Sequence, residues 1–141
     1  MLFPKKVKHR KWHTMRRNSK KMRVETRGVN LAFGSYGLRA VTGGRVRSNQ
    51  IESARKIVSR GIGKVGKMWT RVFPDFPYTA KPAEVGMGKG KGDLQGYQFE
   101  VRPGRLIFEI DGISEAEARD TLRKAGTRLP VKTKVVSRIE A

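Results

Sequence analysis

The hydrophobic positions of this chain change their spacing several times, and each change marks an element. Between Gly28 and Gly44, the residues Val29, Leu31, Phe33, Tyr36, Leu38 and Val41 are interrupted by Gly34, Gly37 and Gly43. That pattern predicts short strands broken by turns or bulges. The period then becomes helical. Ile51, Ala54, Ile57, Val58 and Ile62 share one face of a helix. Asn49 suits its N-cap, and Glu52 three residues on completes a capping box. Gly61 and Gly63 end it. From residue 67 to 73 the period is two, with Met68, Thr70 and Val72 on one face and Trp69, Arg71 and Phe73 on the other. Pro74 stops that strand, and Asp75, Pro77 and Pro82 keep the next stretch extended or turning. Tyr97, Phe99 and Val101 alternate, Pro103-Gly104 supplies a tight turn, and Leu106, Phe108 and Ile110 alternate back, which predicts a β-hairpin. Ser114 and Glu117 form a second capping box, with Ile113 as staple residue. Ala118, Leu122 and Ala125 carry the second helix to Gly126. After Pro130, residues 131–139 predict a last strand. The order predicts an α+β fold, a mostly antiparallel sheet with two helices packed on one face.

Composition adds a partner to this picture. The 141 residues fit one domain, and 37% hydrophobic residues suffice for one modest core. Lys and Arg number 32 against 12 Asp and Glu, a net charge of +20. A surface that positive repels itself and calls for a polyanion. Nucleic acid comes first and anionic membrane second. No apolar run approaches the roughly 18–20 residues of a membrane-spanning helix. There is no cysteine, so disulfide frameworks and thiolate metal sites are excluded.

The charge is unevenly spread. Residues 1–27 hold eleven basic residues against Glu25 alone, which is half the net charge in about a fifth of the chain. Their apolar residues follow no period, so this segment reads as an arm that takes shape on its partner, ahead of a single domain at 28–141. Fully extended, it reaches roughly 80–90 Å. Trp12, between Lys11 and His13, either stacks on an unpaired base or docks on the domain. Within the domain, Arg55, Lys56 and Arg60 lie off the apolar face of the first helix. They serve equally as a solvated face or as phosphate contacts. Lys132, Lys134 and Arg138 face outward on the last strand beside Val131 and Val135.

Gly86-Met87-Gly88-Lys89-Gly90-Lys91-Gly92 has glycine at every second position, with two lysines between. A backbone without Cβ atoms can approach a partner closely, and the lysines supply compact charge. The bland alternative is a solvated hairpin tip. Nucleotide motifs do not fit. A Walker loop would need glycine where Val85 stands and Ser or Thr where Gly92 stands, and a dinucleotide fingerprint would need glycine in place of Lys91. Catalytic chemistry is also missing. His9 and His13 lie four apart with no acidic ligand beside them. Glu100, Glu109, Asp111, Glu115 and Glu117 have structural uses on the predicted hairpin and helix start.

Several stretches together resemble one family. They are Met1-Leu2-Phe3-Pro4-Lys5, then Lys64-Val65-Gly66-Lys67-Met68-Trp69-Thr70-Arg71-Val72-Phe73-Pro74-Asp75, then Met87 to Gly92, and finally Leu129-Pro130-Val131-Lys132-Thr133-Lys134. Their order and spacing are similar to those of the bacterial-type large-subunit ribosomal proteins numbered sixteen, over essentially the whole chain. The resemblance starts at Met1, which argues against a cleaved transit peptide. It implies a two-layer α+β domain that binds large-subunit ribosomal RNA beside the peptidyl transferase centre, without enzymatic activity or cofactor. It further implies that Lys5, Lys6, Lys8, His9, Arg10, Lys11, Trp12, His13, Arg16 and Arg17 thread into ribosomal RNA; Arg55, Lys56, Arg60, Lys132 and Lys134 are further candidate contacts from their charge and outward placement alone. The loop of Met87, Gly88, Lys89, Gly90, Lys91 and Gly92 would face the A-site and P-site tRNAs. Neighbouring ribosomal proteins would be the other partners, in a cytoplasmic or organellar ribosome. The chain departs from the family at Gly86, where arginine is usual, so no contact or modification of that arginine carries over. Tyr97 stands where tryptophan is common, and residues 18–24 match poorly. The alternative function is a non-ribosomal basic RNA chaperone.

Overall fold

The computed structural model describes residues 1–13, 22–84, 86, 88 and 90–138. The element order is β1 (Tyr36–Ala40), β2 (Gly44–Arg47), α1 (Ser48–Ile62), β3 (Lys67–Thr70), β4 (Phe76–Ala80), β5 (Asp93–Val101), β6 (Leu106–Asp111), α2 (Glu115–Gly126) and β7 (Thr133–Ser137). The α+β class predicted from the sequence is the one observed, with a division that periodicity did not reveal. The strands form two antiparallel sheets, one ordered β3-β6-β1-β7 and the other β2-β5-β4.

The predicted Tyr97–Ile110 hairpin is therefore corrected. The tight turn exists: Arg105 N–H donates to the Arg102 carbonyl at 3.2 Å, and Gly104 has φ of +97°. The strands on either side of it do not pair. β5 lies between β2 and β4, whereas β6 lies between β3 and β1. Alternation reports which face a residue occupies, not which strand sits beside it. Residues 106–110 of β6 are all buried, as suits a central strand. Its pairing with β1 slips from Leu38↔Phe108 to Arg39↔Leu106, leaving Ile107 as a bulged residue.

The true hairpin is β4–β5. The sequence places β4 only as an extended or turning stretch, because Pro77 argues against a central strand. Pro77 is tolerated because β4 is an edge. The glycine-lysine loop joins these two strands, so it is the tip of this hairpin.

Both helices lie against the strands and against each other, α2 on β1 and β7 and α1 on β2, β3 and β5. α1 buries Ile51, Ala54, Val58 and Ile62, four of the five predicted residues, with Ile57 at the margin. It begins at Ser48 with Arg47 as N-cap, two residues ahead of the expected Asn49 cap. Gln50 Oε1 accepts from Arg47 N–H at 2.8 Å, in the role assigned to Glu52. Gly63 ends it at φ +60°. α2 starts as predicted, with Ser114 Oγ accepting from Glu117 N–H at 3.4 Å.

Candidate nucleic-acid interface

The face of the three-stranded sheet opposite Val46 and Phe99 carries arginine and aromatic rings in alternation. Pairing sets Arg47 beside Gln98 and Gln98 beside Phe76, so these side chains share one face. The Arg45 guanidinium lies 5.2 Å from the centre of the Phe76 ring, and that of Arg47 lies 4.7 Å from Tyr78. A guanidinium over a ring is drawn by the ring quadrupole, and Arg45 also lies directly across from Glu100 on the same face. Both arginines are exposed, and Gln98 between them is buried.

The arm runs across this unit. Ser48 Oγ donates to the Leu2 carbonyl at 2.8 Å, and the N-terminal ammonium is 4.0 Å from Glu52. Phe3 meets Tyr97 edge-on at 6.1 Å. Trp12 meets Phe76 edge-on at 5.0 Å. Tyr97 and Phe76 project to opposite faces of the sheet, so the arm passes from one face to the other, beside Asp75 at the start of β4. Lys91 Nζ donates to the Trp12 carbonyl, which ties the arm to the root of the hairpin tip. Trp12 thus takes the docked alternative, with the residue 39% exposed.

The residues named from the sequence fall into separate groups. Lys5, Lys6, Lys8, His9, Arg10 and His13 are exposed and Lys11 is half-buried. Arg16, Arg17, Met87 and Lys89 lie outside the described residues. Gly88 and Gly90 have φ of +103° and +90°, which favours glycine, with open space where a side chain would point. At Gly92 a Cβ would sit 2.7 Å from the Ala80 carbonyl, so the hairpin closes there. Lys56 and Arg60 are exposed on α1, as are Lys132 and Lys134 near the C-terminal end. Arg55 is engaged: its Nε donates to Glu52 Oε2 at 3.0 Å and its Nη2 to Oε1 at 2.5 Å. That bond holds the Glu52 carboxyl below its ordinary value and the Arg55 guanidinium above its own.

A second cluster escaped the sequence reading. Glu109 on β6 is wholly buried. Its Oε1 accepts from the backbone N–H of Ala32, Phe33 and Gly34 at 2.9, 3.0 and 3.1 Å, and its Oε2 accepts from Arg71 Nη1. Burial pushes this carboxyl up. The Arg71 guanidinium and the three N–H groups more than offset that, so it stays below the usual carboxylate value. The loop so held carries Phe33, stacked on Trp69 at 5.8 Å and 18°. The acid and its loop are 75–77 positions apart, which no local pattern reports. The arginines at 45 and 47 were legible as charge, but the rings beneath them come from a strand that was not predicted.

Residues 4–136 match the family described as ribosomal protein L16p/L10e. The chain is 49% identical to the large ribosomal subunit protein uL16 of Coprothermobacter proteolyticus, covering 99% of this chain and 100% of that one. It is 48% identical to the protein of that name from Allorhizobium ampelinum (99% and 98%) and 45% identical to that from Neorickettsia sennetsu (99% and 97%). A family match over nearly the full length, with relatives of this identity, means that the chain belongs to the ribosomal protein L16p/L10e family.

Proposed function

We propose that this chain is a structural constituent of the large ribosomal subunit that binds the subunit's RNA and performs no chemistry of its own. The three relatives carry that subunit in their names. The observation that carries the reading is the arginine-over-ring face of the three-stranded sheet, with the arm laid across it. Cations neutralise phosphates where RNA helices crowd together, and release of condensed counterions drives association. Arg47, already seated on the Tyr78 ring, offers forked donors that lysine lacks, and Arg45 adds its charge to the same face. The exposed arm residues extend the same contact, and neighbouring ribosomal proteins complete the surroundings in the ribosome.

The finer part of the proposal concerns tRNA. Gly88 and Gly90, between the two strands of the hairpin, have open space where a side chain would point, which suits close approach of a folded RNA backbone. By family resemblance that RNA is the A-site and P-site tRNA beside the peptidyl transferase centre.

Co-sedimentation tests the first part. The protein should stay with the large subunit through a high-salt wash at about one copy per particle. Loss in the wash would favour a general RNA chaperone. For the tip, a photoreactive lysine analogue in place of Lys91 should cross-link to tRNA in programmed ribosomes. Products with ribosomal RNA alone would remove the tRNA assignment and leave the subunit assignment standing.

A further inference from the structure

We propose that Phe33 is a preset stacking platform for one unpaired nucleobase of large-subunit RNA, on the sheet not used by the interface above. The proposal rests on the RNA-binding reading of the chain. Phe33 is 55% exposed, a high value for an aromatic ring, and it is not a loose one. Three consecutive backbone N–H groups around it converge on the Glu109 carboxylate. Trp69 lies nearly parallel beneath the ring, and the Arg71 guanidinium sits 5.2 Å from its centre. Trp69 and Arg71 are two residues apart along an extended segment and both contact the ring, yet more than half of Phe33 remains open to solvent.

The ligand class follows from the surroundings. Two rings already form the start of a stack, and a flat base extends it with little loss of freedom in the protein. Arg138 Nη2 donates to the Gly34 carbonyl at 2.9 Å, which places an exposed guanidinium beside the loop with further donors for a phosphate. A flat base with an anionic backbone matches a ring with a cation at its side better than an aliphatic side chain does. Stacking is tolerant of base identity, because every base has a π-face. An unpaired base is required, since a paired one is covered on both sides by its own helix.

The test uses the full-length protein carrying benzoylphenylalanine in place of Phe33, assembled into large subunits and irradiated. The expected product is a cross-link to one unpaired nucleotide of large-subunit ribosomal RNA. In parallel, Phe33→Leu should weaken binding of the free protein to that RNA by about tenfold and Phe33→Trp by no more than about twofold. Thermal midpoints of both variants should stay within about 5 °C of the parent, the loss expected from one aromatic pair on a residue that is more than half exposed. A cross-link to a ribosomal protein, or none, from protein that still sediments with the subunit would overturn the platform alone. Failure of the unmodified protein to sediment with the subunit would instead overturn the RNA reading on which the platform rests.

Discussion

Glu109 shows how one residue can order a distant loop. In the sequence it is an acid on the alternate face of a strand, where solvent would be its ordinary neighbour. In the fold the segment at 29–34 covers that face, and the carboxylate becomes an anchor with four hydrogen bonds. Removing one partner of a buried ion pair leaves the other charge stranded, so Glu109→Ala should cost about 3–5 kcal/mol, read from urea unfolding. The pH dependence has a definite sign. The carboxyl is held below its ordinary value in the folded state, so the unfolded chain binds its proton more readily. Its contribution is complete above the unfolded value of about 4.3 and declines as pH falls through the folded one. The stability gap between the parent and Glu109→Gln should therefore narrow on acidification from about pH 5 to about pH 3. A gap that widens over that range would contradict the assignment.

At the scale of elements, what was legible depended on whether a partner was needed to define the feature. The helices were legible because their faces are local: Ile51, Ala54, Val58 and Ile62 recur at helical spacing, and Ser114 with Glu117 fixes the start of α2, whereas the cap of α1 lies at Arg47 and not at Asn49. β5 and β6 were legible as strands but not as members of different sheets. β4 was hidden by Pro77, whose missing N–H is harmless only on an edge. Gly61 carries information of another kind. Read from the sequence it ends a helix, yet it lies within α1 at the contact with α2. A Cβ there would come 2.5 Å from Thr121 Cγ2 and Oγ1. Gly→Ala inside a helix normally stabilises by about 1 kcal/mol. Here overpacking should reverse the sign, with Gly61→Ala losing about 1–3 kcal/mol. Adding Thr121→Ala should recover most of the loss, and a thermal melt of the two single variants and the double reads the interaction directly.

For the whole molecule, charge dominates. A net charge of +20 on a chain of 141 residues makes binding to RNA a matter of displaced counterions. The slope of log affinity for large-subunit RNA against log salt should be about −3 or steeper. Replacing Arg45 and Arg47 together by Gln should flatten it by roughly 1.5, since each phosphate contact contributes about 0.7–0.9. An unchanged slope would mean that these two cations do not face phosphate. The sequence disclosed the amount of positive charge and its concentration in residues 1–27. It did not disclose the face on which Arg45, Arg47, Phe76 and Tyr78 meet, because that face is assembled from two strands about thirty residues apart.

The passage of the chain between sheets at Pro103-Gly104 has a mechanical consequence. β5 runs nine residues from the glycine-lysine tip to that crossing, a rod of about 30 Å. Beyond the crossing the same backbone becomes the hub strand that grips the Phe33 loop through Glu109. A load placed on the tip by a moving ligand would travel down this lever to its fulcrum in the core. Substitutions at Ile107 or Phe108 should then change how stiffly the tip resists displacement, although neither residue comes near it.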